Sequence, residues 1–142
     1  MATTAETEIR TVIDSWAKAL RAKDAKGVVA HLSPDFLHYS LAPPLRSSGN
    51  GTDGLQSWFD TWDAGLGYDI RDLKITAAGD IAFSHSLNHL SGTKRNEGKS
   101  EVWFRQTLGF RRIAGTWKIV HEHESVPFYM DGSLKAAVDL KP

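Results

Sequence analysis

The stretch YDIRDLKITAAGDIAFSHSLNHLSGTKRNEGKSEVWFRQTLGFRRIAGTWKIVHEHESV, residues 68–126, decides the fold. Apolar and polar residues alternate along it with a period of two, as half-buried strands require. The alternation breaks at Gly79-Asp80, between Gly92 and Gly98, and at Ala114-Gly115, which are turn signals. Four strands are therefore predicted, over 68–77, 81–90, 99–110 and 117–126. Connections this short join antiparallel neighbours, so the four form a meander, and Pro127 ends the last of them.

Outward from the meander, the first half reads mainly as helix. Thr3 and Glu6 fit a capping box, and Ile9, Val12, Ile13, Trp16 and Leu20 then recur at helical spacing, which predicts a helix to about Ala22. Asp24 can cap a second helix bearing Ala25, Val28, Val29 and Leu32, stopped by Ser33-Pro34. Residues 36–41 alternate as a strand until Pro43-Pro44, and 47–51 read as a loop. Thr52 or Asp53 opens a third helix, marked by Leu55, Trp58, Phe59 and Trp62 and ended near Gly65 and Gly67. Helices segregated onto one face of a curved, mainly antiparallel sheet make an α+β domain. A length of 142 residues leaves room for one domain, with a core at about 6–128 and a tail at 129–142.

Composition narrows the function. Apolar residues at 41% and charged residues at 24% are values of a globular chain. Seventeen basic residues cancel seventeen acidic ones, so the surplus of Lys and Arg that binds duplex nucleic acid or anionic lipid is missing. With no cysteine there is neither a disulfide, a thiolate zinc site nor a cysteine nucleophile. The first residues lack the pattern of a secretory signal, and no apolar run approaches the roughly 20 residues that cross a bilayer. A cytoplasmic protein without nucleic-acid or membrane partners is expected. No Gly-x-Ser-x-Gly elbow is present, and the Gly49–Gly54 segment has no lysine to make it a phosphate loop.

Certain segments resemble a known family. These are the first helix ending in Ala22-Lys23-Asp24, the Pro43-Pro44-Leu45-Arg46-Ser47-Ser48-Gly49 link, Trp103-x-Arg105-x-Thr107, and Trp117-Lys-Ile-Val-His-Glu-His-Glu-Ser125. On them the chain resembles the NTF2-like superfamily, in its SnoaL-like or ketosteroid-isomerase-related branch, over about Glu6 to Phe128. The last segment is also similar to the association domain of calcium/calmodulin-dependent kinases. The resemblance implies a cone: three N-terminal helices on a curved sheet enclosing a pocket. Isomerases, cyclases, hydrolases and binding modules share this fold, so activity must be argued from the site.

Compared with ketosteroid isomerase, whose base is an aspartate and whose oxyanion hole is a tyrosine and a protonated aspartic acid, this chain places Trp16 where the tyrosine would stand. Ser40 falls at the base, and Thr107 or Leu108 at the second acid. The Asp-Arg-Asp set of limonene-epoxide-hydrolase-like proteins is likewise missing beside Arg105. The kinase association domain implies that Val120, Glu122 and Glu124 face the cavity while His121, His123 and Ser125 face a subunit interface. A β-bulge would invert that assignment.

The candidate catalytic residues are then His38, His85, Arg105 and Glu122, with Trp16, Ser40, Trp58, Trp62, Trp103, Thr107 and Glu124 as substrate-binding residues. Arg105 and Glu122 form a natural buried pair, whereas a free Arg105 fork would hold a carboxylate or enolate. Imidazole suits proton transfer near neutral pH. No cofactor and no metal are expected; were a metal bound, His121 and His123, at i and i+2 on one strand face, would meet it. The expected ligand is a small organic molecule with a carbonyl or carboxylate. The expected activity is proton transfer beside a carbonyl, of isomerase or cyclase type. The alternative is a non-catalytic ligand-binding or oligomerisation module. A homodimer through the outer sheet face is expected, with Trp117 contributing to it.

Overall fold

A computed structural model describes residues 2–142. The chain runs through α1 (Thr4–Arg21), α2 (Ala25–Val29), β1 (Leu32–Tyr39), β2 (Ser47–Ser48), α3 (Asp53–Phe59), β3 (Gly67–Ala78), β4 (Ile81–Lys94), β5 (Gly98–Ile113) and β6 (Thr116–Ser125). One six-stranded sheet has the order β2-β1-β6-β5-β4-β3. The meander β3–β6 is antiparallel throughout, while β1 lies parallel to β6 and makes the sheet mixed.

α1 begins where its sequence dictates: the Thr3 side chain accepts a hydrogen bond of 3.1 Å from the Glu6 amide. Ile9, Ile13, Trp16, Ala17 and Leu20 form its buried stripe and meet Phe104, Leu108 and Phe110 of β5 with Ile119 of β6 in one core cluster. Trp16 stands edge-on to Tyr68 of β3 at a centroid distance of 5.6 Å, an aromatic contact of about 0.5–1.5 kcal/mol beyond its buried area.

The helical layer differs from expectation. α1 is long, but α2 has only five residues and α3 seven; α3 follows β1, in the order read from the sequence. Leu32, expected on α2, opens β1, and Pro34 sits inside that strand. Having no N–H to give, Pro34 falls where the β1–β6 ladder slips, between Leu32 and Leu37. Residues 47–48, read as loop, pair with β1 as a two-residue edge strand. Trp62 lies beyond the end of α3, buried beside Leu66 and Phe59, with the Lys94 ammonium 4.3 Å from its ring centroid. Among the described residues, no helix is long and apolar enough to cross a membrane.

One irregularity of β6 sets which side chains enter the concave interior. Gly109 pairs with His121 but Phe110 pairs with Ile119, so Val120 is an extra residue, a β-bulge. A Cβ built on Gly109 would lie 3.4 Å from His121 Cβ and 3.7 Å from Val120 Cγ2, which places both bulge side chains on the outer face. Trp117 and Ile119 therefore point inward before the bulge and Glu122 after it, and all three are buried. This corrects the expected position of Val120 in the cavity. It also corrects Trp117 at a subunit face: it is 3% exposed, its Nε1 donates to Glu8 at 3.0 Å, and Arg112 lies 5.0 Å over its ring.

Candidate functional site

Three ionisable side chains meet on the concave face where β1 and β6 run side by side. His38 and Glu122 are register partners across that parallel pair, and Glu124 is the next inward residue of β6. His38 Nε2 is bonded to Glu124 Oε1 and lies 3.5 Å from Glu122 Oε1. Side-chain exposure falls from 27% at His38 through 14% at Glu124 to 9% at Glu122, so the group runs from the surface into the core.

Burial sets the protonation. Glu122 is pushed up to about 8, first by burial and then by the Glu124 charge, against the opposing pull of His38 and Gln106. Burial works against a charged His38, yet the Glu124 hydrogen bond and the charges of both carboxylates outweigh it and raise its pKa. At neutral pH the cluster therefore holds a protonated Glu122 beside a carboxylate already engaged by an imidazole. A buried carboxyl group that keeps its proton beside an imidazole of raised proton affinity is a pairing that acid–base chemistry can use.

Behind Glu122 lies a hydrogen-bonded row that the sequence reading missed. Gln106 Nε2 donates to Glu122 Oε2 at 2.7 Å and to the Tyr68 hydroxyl at 3.2 Å. Asn88 Nδ2 donates to Gln106 Oε1 at 3.0 Å and to the Tyr68 hydroxyl at 2.7 Å, while Ser86 Oγ donates to Asn88 Oδ1 at 2.6 Å. Burial, helped by the charges of Glu122 and Glu124, holds the Tyr68 hydroxyl well above its ordinary pKa. All four residues are buried, and the row gives each amide a partner, as a buried polar group requires. A signal existed: Gln106 interrupts the apolar series Phe104, Leu108, Phe110 on one face of β5.

Glu124 also opens onto a surface groove of about 680 Å³, walled by residues 39–46 and by His123. Leu41, Ala42, Pro43, Pro44 and Leu45 make much of that wall apolar, and Ser40, one of the expected binding residues, lines it with its hydroxyl turned to Ala42 O at 2.7 Å. The site thus joins a buried acid to a groove able to take a small, largely apolar molecule.

Several expected residues lie elsewhere. Arg105 and Thr107 stand exposed on the outer face, where Arg105 Nε donates to Ser125 Oγ at 3.1 Å, so the Arg105–Glu122 pair does not form. Strand alternation puts Gln106 inside between them. His85, the register partner of Thr107, is exposed on that same outer face. Trp103 is there too, stacked on His89 at 4.7 Å. Trp16 and Trp62 are core residues, and Trp58 packs beside Trp62 at 5.8 Å, below the Lys94 ammonium. His121 and His123 flank the Tyr39 ring on the outer side, with His121 Nδ1 2.8 Å from Leu37 O. The convergent His and Glu side chains are instead His38, Glu122 and Glu124, whose facing atoms lie within 4.8 Å of one another. With His38 bonded to Glu124 and Glu122 Oε2 taken by Gln106, this donor set reads as proton sharing.

Fold and comparison agree on the class. The family model described as a SnoaL-like domain matches residues 9–129, and the chain belongs to that family, within the NTF2-like superfamily. No protein of curated function matches the sequence. Among solved structures, an NTF2-like protein of unknown function from Pseudomonas putida KT2440 is 33% identical, with a TM-score of 0.88 over 100% of this chain and 99% of that one. A candidate scytalone dehydratase from Novosphingobium aromaticivorans is 15% identical, with a TM-score of 0.74 over 84% and 81% of the two chains. A ketosteroid isomerase-like protein from Erwinia carotovora atroseptica is 19% identical, with a TM-score of 0.71 over 87% and 97%. At those identities the last two share the fold with this chain.

Proposed function

We propose that this protein is an enzyme that moves a proton beside the carbonyl group of a small, largely apolar molecule, the chemistry of an isomerase or a dehydratase. The observation that carries the reading is the His38–Glu124–Glu122 cluster: an acid that keeps its proton at neutral pH next to a carboxylate that faces a groove. Structural neighbours named for a dehydratase and an isomerase are consistent with it.

In this mechanism the molecule lies in the groove against residues 41–45, and Glu124 takes the proton from the carbon next to the carbonyl. The electron pair of the broken C–H bond moves onto the carbonyl oxygen, and His38, whose proton affinity is raised by its bond to Glu124, stabilises the enolate through its free ring edge. Returning the proton to a different carbon completes an isomerisation. Expelling a β-hydroxyl as water, with a proton supplied by His38, completes a dehydration. Glu122 restores the proton that His38 gives up.

Exchange of ketone α-protons for deuterium in D2O, followed by proton NMR over a panel of small cyclic and aryl ketones, tests the reading. The wild-type protein is expected to accelerate exchange, and Glu124→Gln to slow it by about 10²–10⁴-fold. Exchange unaffected by Glu124→Gln, or none above background with any ketone, would overturn it.

A further inference from the structure

The buried row behind Glu122 has a direction. Ser86 donates to Asn88, Asn88 donates to Gln106 and Gln106 donates to Glu122, so each member passes hydrogen-bond donation one step closer to the carboxyl group. An amide can donate only through its nitrogen. With Gln106 Oε1 occupied by the Asn88 amide, the Gln106 nitrogen is the atom turned to Glu122 Oε2. The other Glu122 oxygen, Oε1, is the one that faces His38.

We propose that this Ser86–Asn88–Gln106 row fixes which oxygen of Glu122 carries the proton: Oε2 is kept as an acceptor and the proton is held on Oε1, on the side of His38 and Glu124. Gln106 is thereby a positioning residue, since it touches neither the groove nor the reacting atoms and acts through Glu122. Only the consequence for turnover rests on the function proposed above; the placement of the proton rests on the hydrogen bonds. A proton on Oε1 stands where His38 and Glu124 can exchange it. On Oε2 it would be buried behind the carboxyl group, against Gln106 and Tyr68.

The alternative is specific. If both amides were turned over, Gln106 would present its oxygen to Glu122, Asn88 Oδ1 would accept from Gln106, and the proton would sit on Oε2. The two arrangements predict opposite signs for one variant. As a donor, Gln106 favours the charged carboxylate, so removing it raises the midpoint of Glu122; as an acceptor it favours the acid, so removing it lowers that midpoint.

The other titratable groups facing Glu122 are His38 from β1, Glu124 from β6 and Tyr68 from β3. β4 and β5 present the uncharged Ser86, Asn88 and Gln106, and the buried stripe of α1 is apolar, with Glu8 bonded instead to Trp117. None of these is altered in Gln106→Met, which keeps the length of the side chain and loses its amide.

The test is a carbon-13 NMR titration of the protein labelled at glutamate carboxyl carbons, with the Glu122 signal identified by its loss in Glu122→Gln. In Gln106→Met the Glu122 midpoint is expected to rise by about one to two pH units, the effect of one hydrogen bond to a charged group. Asn88→Ala, which leaves Gln106 in place but free to turn, is expected to move it in the same direction by less. A midpoint that falls or stays where it was in Gln106→Met overturns the proposal, and should that variant fail to fold, Asn88→Ala decides by the same sign. No turnover is needed for this measurement. A rise in midpoint without ketone exchange would therefore remove the proposed function and leave the proton placement standing.

Discussion

His38 and Glu122 face each other across two parallel strands, and their side chains meet on the inner face of the sheet at 3.5 Å. Each changes the other's charge: the imidazolium favours the carboxylate and the carboxylate favours the imidazolium, while burial works against both charges. The balance leaves the two groups holding more protons in the folded protein than in the unfolded chain around neutral pH.

Stability should therefore depend on pH in a stated direction. Glu122 moves from an ordinary 4.5 to about 8 on folding, so between those values the folded state holds a proton that the unfolded state has released, and stability falls as pH rises. His38, also raised, has its contribution in full below about 6.5 and loses it as pH climbs through its folded value. Thermal unfolding of the wild type is expected at lower temperature at pH 8 than at pH 6. Glu122→Gln, which mimics the protonated acid, should flatten this slope and melt above the wild type at pH 8. A wild-type melting temperature that rises from pH 6 to 8 would contradict the assignment.

Trp117 tests the bulge. Because the extra residue at Val120 turns Trp117 into the core, where it bonds Glu8 and carries Arg112 over its ring, Trp117→Ala should cost about 3–5 kcal/mol of folding stability in a denaturant titration. A cost below 1 kcal/mol would mean that the side chain lies at the surface.

Arg105 offers the complementary control. It stands on the outer face, bonded only to Ser125 Oγ among the described residues. Arg105→Ala is expected to change unfolding by no more than about 0.5 kcal/mol and to leave ketone exchange at the wild-type rate. His85→Ala, exposed on the same face, should behave alike. A large loss of exchange in either would return those residues to the chemistry.

The meander was readable because its turns and alternation lie within the strands themselves, and the Thr3 cap was readable because it is local. Pairing of β1 with β6 was not, since nothing in residues 32–39 says which distant strand they join. Strand facing depended on what each face was read against. On β4, His85 is an expected site residue, yet it stands on the exposed side with Ile81 and Phe83. The structure buries Ala82, Ser84, Ser86 and Asn88 instead, on a face where hydroxyls and amides satisfy one another. On β6 a single extra residue let Ile119 and Glu122, three positions apart, share one side. Resemblance puts Glu122 and Glu124 inward, with Arg105 as the expected partner of Glu122. A strand period of two puts Arg105 and Gln106 on opposite sides, and only the apolar neighbours of Gln106 say which of them goes in.

The parallel pairing of β1 with β6 has a consequence for how the protein comes into being. His38 and Glu124 are 86 positions apart along the chain, and nothing local brings them together. Until the last strand has docked beside the first, a chain leaving the ribosome carries an ordinary surface histidine and two ordinary glutamates. The raised proton affinities of His38 and Glu122 then arise together, as the final seam closes. A chain shortened before Thr116 loses the carboxylates altogether, so the chemistry of this site certifies a finished molecule.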